Sequence, residues 1–290
     1  MAQANKVYQM ITDKIIDQLE KGVIPWHKPW NSASGAHKNL VSGKPYRGIN
    51  PFLLTITALS NGYASPYWVT YKQAKTKGGQ VRKGECGTQV VFWNIKDKEI
   101  ENEDGEKEIK KTFILRYYTV FNIEQCDGLE EPKVDGQEEV EVPEPIEACE
   151  AIVANMPNAP VIQFGGSAAC YIPAKDIVKN PKIEDFEGNA EFYSTLFHEL
   201  GHSTGHHSRL NRFKVDEPLA AFGSESYSHE ELTAEMTACF LCGVAGIENK
   251  TLDNSAAYIH GWSKKLKDQP KMVIQAAARA QKAADFILNQ

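Results

Sequence analysis

The segment Phe197, His198, Glu199, Leu200, Gly201, His202 sets two imidazoles four residues apart with a carboxylate beside the first. On an α-helix this spacing puts His198 and His202 on one face, where both rings reach a single ion. Zinc held by three protein ligands keeps one position for water and lowers that water's pKa to about 7, so a neighbouring carboxylate can take the proton and direct the oxygen at a carbonyl. His198 and His202 are therefore candidate metal ligands and Glu199 the candidate general base, which is the donor set of a zinc-dependent peptide hydrolase.

Positioning those rings requires a helix over Gly188 to Gly205, and apolar Phe192, Tyr193, Leu196, Phe197 and Leu200 recur with a helical period beside the histidines. Gly205 supplies the stop. The longer frame H-E-x-x-H-x-x-G-x-x-H holds through Gly205 but meets Ser208 where its last histidine belongs. In a continuing helix His206 falls one turn, about 5.4 Å, beyond His202. A third ligand then has to come from a carboxylate on a following helix, expected over Ser228 to Gly246 from the spacing of Leu232, Met236, Cys239 and Phe240.

That helix opens with Glu230 and Glu231, followed by Glu235. Two acids four residues apart resemble the second helix of the gluzincins, and the resemblance implies Glu231 as the zinc ligand and Glu235 as the group that orients a ligand histidine. Glu235 and His207 remain alternative third ligands. Ser228 and Glu231 also fit an S-x-x-E capping box, in which Glu231 would serve only the helix start. Tyr227, read as lying just ahead of the helix, is a candidate oxyanion donor.

With 290 residues, 42% of them hydrophobic, the chain can bury two ordinary cores, and no apolar run approaches the ~20 residues that cross a bilayer. Val7, Ile11, Ile15 and Leu19 mark an amphipathic helix over Met1 to Lys21 rather than a signal peptide. Six scattered cysteines form no disulfide framework and fit a reducing cytoplasm. Cys239 and Cys242 form C-x-x-C inside the second helix, where packing explains them.

The net charge of −6 hides a strong asymmetry. Residues 1–95 hold 12 Lys/Arg against 4 Asp/Glu, whereas residues 96–147 hold 7 against 17. Two acidic runs make up that middle block. Asp97 to Glu108 lies between the strand-like runs Thr88 to Ile95 and Thr112 to Ile123 and reads as a solvated hairpin tip; Cys126 to Glu147, with Pro132, Pro143 and Pro145, reads as a linker. Four of the five tryptophans fall in the basic third. There Trp26, Lys28 and Trp30 stand together, as do Tyr46 and Arg47, while Trp68 and Tyr71 precede Lys72, Lys75, Lys77, Arg82 and Lys83. Aromatic faces beside cations are what unpaired bases and their phosphates require, so these twelve residues are the candidate single-stranded DNA contacts.

Longer blocks carry a resemblance. P-W-H-K-P-W from Pro25, P-Y-R-G-I-N from Pro45, Y-W-V-T-Y-K-Q-A from Tyr67 and G-G-Q-V-R-K-G-E from Gly78 resemble the N-terminal domain of ArdC-type antirestriction proteins. Y-I-P-A-K-D from Tyr171, H-E-L-G-H-S-T-G-H from His198, S-R-L-N-R from Ser208, F-G-S from Phe222 and E-E-L-T-A-E from Glu230 are similar to that family's zincin-like metallopeptidase domain. The resemblance covers nearly the whole chain in the family's order. It implies a cytoplasmic protein of conjugative or other mobile elements that binds single-stranded DNA through its first domain and protects incoming DNA from restriction. Related first domains also occur fused to plasmid primases.

The expected architecture is α+β: a basic DNA-binding domain over 1–125, an acidic linker over 126–147, and a mainly helical zincin-like domain over 148–290. The expected function joins single-stranded DNA binding to a one-zinc peptidase site acting on a protein or peptide. The alternatives are a DNA-transfer protein whose metal is structural and a plain cytoplasmic metalloprotease. Val161 to Ile172 reads as a strand pair broken at Gly165 and Gly166, offering an edge to an extended substrate, with Tyr171 to Asp176 shaping the cleft. Two closing helices are expected over Ser255 to Lys267 and Lys271 to Asn289.

Overall fold

The computed structural model describes residues 2–26, 35–101, 107–132, 144–213, 225–249 and 255–290, with backbone alone for 2–4, 94–101, 107–113 and 225–226. Its helices are α1 (Ala2–Glu20), α2 (Asn50–Asn61), α3 (Tyr71–Thr76), α4 (Pro145–Asn155), α5 (Asn189–Ser203), α6 (Glu225–Ala245), α7 (Ala256–Asp268) and α8 (Met272–Ile287). Its strands are β1 (Lys38–Asn39), β2 (Tyr67–Thr70), β3 (Gln80–Val81), β4 (Thr88–Glu101), β5 (Lys107–Asn122), β6 (Cys126–Asp127), β7 (Val161–Phe164), β8 (Cys170–Ile172) and β9 (Ile177–Asn180). The fold is α+β, mixed helices and strands in the first half and mainly helices in the second.

The first half is built on a sheet of order β1-β2-β5-β4, with β3 and β6 paired beside it. Pro51 opens α2, and Gly62, at φ 72°, closes it by returning its N–H to the Ala58 carbonyl. Thr70 and Gln73 form a reciprocal capping box that turns β2 directly into α3. One sheet face packs Val90, Val120 and Trp68 against Tyr46, Leu54 and Ala58. The β4–β5 ladder runs unbroken from Thr88↔Val120 to Glu101↔Lys107. The strands therefore continue through most of the acidic run that had read as a hairpin tip. Lysines and acids alternate there with the period-two spacing of a strand.

In the second half β9 lies between β7, which it pairs in parallel, and β8, which it pairs antiparallel. Val161 to Ile172 is thus not a hairpin; its two strands are both edges of a sheet whose centre, Ile177–Asn180, comes later in the chain. Helices α5, α6 and α8 pack on one another, and α5 lies on β8 and β9.

The core does not stop at the acidic segment. Val7, Ile11, Ile15 and Leu19 of α1 are buried in the same cluster as Leu266 of α7 and Val273 of α8, and Phe52 stacks on Phe240 with ring centroids 5.1 Å apart. Thr12 Oγ1 donates to the Pro270 carbonyl at 2.6 Å, the Gly48 N–H donates to Gln281 at 3.1 Å, and Arg47 pairs with Asp285. Of the expected linker, Cys126 and Asp127 belong to a strand, and 133–143 lies outside the described residues.

Candidate metal centre

Two helices make the site. Along α5, His198 and His202 project from successive turns, and α6 crosses at Gly201, where an added Cβ would stand 3.2 Å from Thr237 Cβ and 3.3 Å from Ala234 Cα. The glycine of the H-E-L-G-H segment therefore permits the close approach that carries Glu231 over the two rings. His198 Nε2 lies 3.1 Å from His202 Nε2 and 3.2 Å from Glu231 Oε1, and His202 Nε2 lies 3.7 Å from Glu231 Oε2. Ligands held about 2.0–2.1 Å from one tetrahedral ion stand about 3.3 Å apart, so two imidazoles and a carboxylate at these separations fit a single divalent cation. Among the described residues these three form the group whose donor atoms all fall within 4.8 Å of one another.

Neither alternative third ligand belongs to that group. The Glu235 carboxylate accepts from Trp26 Nε1 at 2.8 Å and Tyr258 Oη at 2.6 Å. His207 packs its ring on His206, whose Nδ1 meets Ser208 Oγ at 2.8 Å. Because α6 already begins at Glu225, Ser228 is not a helix cap, and the capping-box reading of Glu231 falls away. Tyr227 likewise lies within the first turn of α6, four residues before Glu231, and its hydroxyl donates to the Glu231 carboxylate.

Charge is concentrated and shielded here. Burial pulls the His198 imidazole down, but the hydrogen bond and charge of Glu231, with Glu199 and Glu235 behind, outweigh it and raise His198 to about 9. Burial pushes Glu231 up, yet His198, His202 and Tyr227 bring it down to about 2, so the ligand carboxylate is ionised throughout the physiological range. Glu199 is buried beside His198 on α5. Burial raises Glu235 to about 7 against the two hydrogen bonds it accepts.

Glu230 has a place that spacing alone does not reveal. Its Oε1 lies 3.7 Å from His202 Nδ1, and both its oxygens are gripped by Arg212, which donates through Nε at 3.1 Å and Nη2 at 2.5 Å. Arg212 also reaches Thr204 Oγ1 at 2.6 Å and the Gly201 carbonyl at 2.9 Å, tying the end of α5 to α6. The acid that faces the outer nitrogen of a ligand ring is thus Glu230, not the expected Glu235. A second clamp closes the turn after α5. Arg209, whose side chain is fully buried, donates to the carbonyls of Ser203 at 2.8 Å and Asn158 at 2.9 Å and pairs with Asp176, which also accepts from Tyr171 at 2.8 Å. Tyr171 and Asp176 therefore fasten that turn to β8 and β9. The sequence carried both clamps as the blocks S-R-L-N-R and Y-I-P-A-K-D, without showing what they hold.

The expected DNA-contact residues divide. Trp26 and Trp68 are fully buried and Tyr46 nearly so, and none presents a face to a base. Their bulk goes instead to the core, and the indole nitrogens of Trp26 and Trp68 donate to Glu235 and to His37 Nδ1. Lys28 and Trp30 lie outside the described residues. Arg47 is exposed but paired with Asp285. Tyr71, Lys72, Lys75, Lys77, Arg82 and Lys83 are exposed on and around α3.

A zincin-type metal centre on an α+β scaffold joined to a basic N-terminal half defines the class. Residues 5–121 match the N-terminal domain of anti-restriction factor ArdC, and residues 147–279 match the zincin-like metallopeptidase family, a class that binds a metal ion. Crystal structures of the antirestriction ArdC protein from plasmid R388, metal-free and Mn(II)-bound, superpose with a TM-score of 0.73 at 39% and 38% identity. Each is matched over 97% of this chain and at least 96% of its own. The chain is also 34% identical to the uncharacterized protein y4eC of Sinorhizobium fredii, over 98% of this chain and 92% of that one. The chain belongs to the ArdC antirestriction family. It is 35% identical to two DNA primase TraC proteins of Escherichia coli, of whose length it spans only 20% and 28%. No described helix is long and apolar enough to cross a membrane.

Proposed function

We propose that this protein is a cytoplasmic antirestriction factor of a mobile element that binds single-stranded DNA through its first half and hydrolyses peptide bonds at the α5–α6 metal centre. The observation that carries the peptidase reading is the convergence of His198, His202 and Glu231 at single-ion distances with Glu199 buried alongside. An ion held there, zinc by ligand type with manganese also suited, supplies a Lewis acid and an acidified water. His198 and His202 bind through Nε2, and Glu231 completes the set from α6. Glu199 takes the proton from the attacking water and passes it to the leaving amine. Tyr227 orients Glu231, and Glu230 holds the His202 ring.

The DNA reading is supported by the match to the ArdC N-terminal domain and by the exposed cations around α3. Similarity to part of the TraC primases favours a setting in DNA transfer. Two measurements on the full chain test the proposal. Glu199→Gln should retain the metal while cleavage of unfolded protein substrates falls at least 10²-fold; loss of the metal instead would remove Glu199 from the role of base. Fluorescence anisotropy should show an affinity for single strands that falls steeply with salt and survives duplex competitor.

A further inference from the structure

The β4–β5 ribbon carries exposed aromatics that its sequence does not single out. Phe92 is 44% exposed and Tyr118 47%, with ring centroids 5.5 Å apart in an edge-to-face pair. Register decides which charges accompany them. Val90 pairs with Tyr118 and Phe92 with Arg116, so these four share one face, and exposed Arg116 stands directly across from Phe92. The inner end of this face, Val90 and Val120, is sealed against Tyr46 and Trp68, leaving the outer part uncovered.

Followed outward, the same register sorts the acidic run by sign. Positions 96, 98 and 110, all lysine, fall on the face of Phe92 and Tyr118, with Glu108 as their one acid. Asp97, Glu99 and Glu101 fall on the opposite face, with Lys107 and Lys111. Over residues 94–101 and 107–116 one face is net +3 and the other −1, although the linear sequence reads as acidic. The opposite face turns toward α1, where Tyr8 lies 6.3 Å from Trp93. At its inner end the cationic face adjoins Thr70, the last β2 residue paired to β5, after which α3 begins with Tyr71 and Lys72.

We propose that this ribbon face is the base-stacking platform for single-stranded nucleic acid, with Phe92 and Tyr118 stacking bases and Arg116 taking a phosphate. It rests on the reading of the first half as a DNA-binding module and specifies where the strand lies. Unpaired bases expose π surfaces to the rings at a spacing where cations meet the backbone charge, whereas a duplex offers no such faces along its length.

Adjacent residues of equal exposure on opposite faces give the test: Tyr118→Ser and Tyr117→Ser, made in the full chain alongside Phe92→Ser and Arg116→Glu, with folding checked by circular dichroism. Binding of a fluorescent oligothymidine is then titrated at several salt concentrations. Tyr118→Ser and Phe92→Ser should each bind roughly 5- to 100-fold more weakly. Arg116→Glu should lower the salt slope by about one. Tyr117→Ser should bind as the parent does. Parental binding by the Tyr118, Phe92 and Arg116 variants, with loss on removing Tyr71, Lys72 and Lys75, would overturn the platform while leaving single-strand binding in place. A parent chain that does not bind the oligonucleotide would take down the DNA reading and this inference with it.

Discussion

Trp26 Nε1 donates to Glu235 Oε2 at 2.8 Å, joining the basic half of the chain to the helix that carries Glu231. Phe52 stacked on Phe240 and α1 packed on α7 and α8 join the two halves further, so they should unfold together. Trp26→Phe keeps most of the buried ring but leaves the Glu235 carboxylate short of a donor, and should cost about 1–3 kcal/mol. Urea unfolding followed by far-ultraviolet circular dichroism and intrinsic fluorescence should give one coincident transition in parent and variant, with the variant's midpoint lower. Two separated transitions would show that the halves fold independently.

Gly201 lets α5 and α6 approach closely enough for three ligands to meet. Alanine in a helix gains up to about 1 kcal/mol over glycine, while a Cβ 3.2 Å from Thr237 forces the helices apart by a few tenths of an ångström at a similar cost. Gly201→Ala should therefore leave the melting temperature nearly unchanged and weaken metal affinity several-fold. Gly201→Leu should abolish metal binding without touching a ligand. Isothermal titration with Mn(II) and Zn(II) reads both, and an undiminished affinity in the leucine variant would separate the glycine from the site.

The site was legible where its chemistry depends on local spacing and hidden where it depends on the tertiary fold. His198, Glu199 and His202 follow from one helical period, and the strong apolar rows of α1, α5 and α8 fix those helices in the same way. Trp26, Trp68 and Tyr46 were misread because aromatic residues among lysines look alike whether their rings stack on bases or fill a core; only packing distinguishes them. The ribbon shows the converse. Its acidic composition suggested a solvated tip, and the alternation that assigns opposite signs to opposite faces becomes visible only once the pairing register is known. Glu230 was overlooked because its importance comes from Arg212, eighteen residues earlier and brought alongside by the turn after α5.

Arg212 grips Glu230, whose Oε1 stands 3.7 Å from His202 Nδ1, where an outer partner of that ring would sit. Removing such an outer partner typically lowers metal affinity 10–100-fold. Glu230→Gln keeps an acceptor near Nδ1 but loses its charge, and should fall at the lower end of that range. Arg212→Met leaves Glu230 buried without its counter-charge and should fall at the upper end, with a lower melting temperature as well. Competition with a chromophoric chelator measures both affinities; equal loss in the two variants would mean that Glu230 acts only through its charge.

Glu235 gives the metal-free protein a pH dependence of defined sign. Burial raises its carboxyl to about 7, above the usual 4.5, so the folded state holds a proton that the unfolded chain has already released over that interval. The carboxyl's contribution to stability is therefore complete below about pH 4.5 and is lost as pH rises through about 7. A fully buried group shifted this far accounts for a few kcal/mol at most, roughly. Glu235→Gln, which accepts from Trp26 and Tyr258 without titrating, should remove that slope, so the parent should lose stability relative to the variant between pH 5 and pH 8. Urea midpoints measured in chelator across that range decide the matter; curves that stay parallel would show that Glu235 keeps the same charge in the folded and unfolded chain.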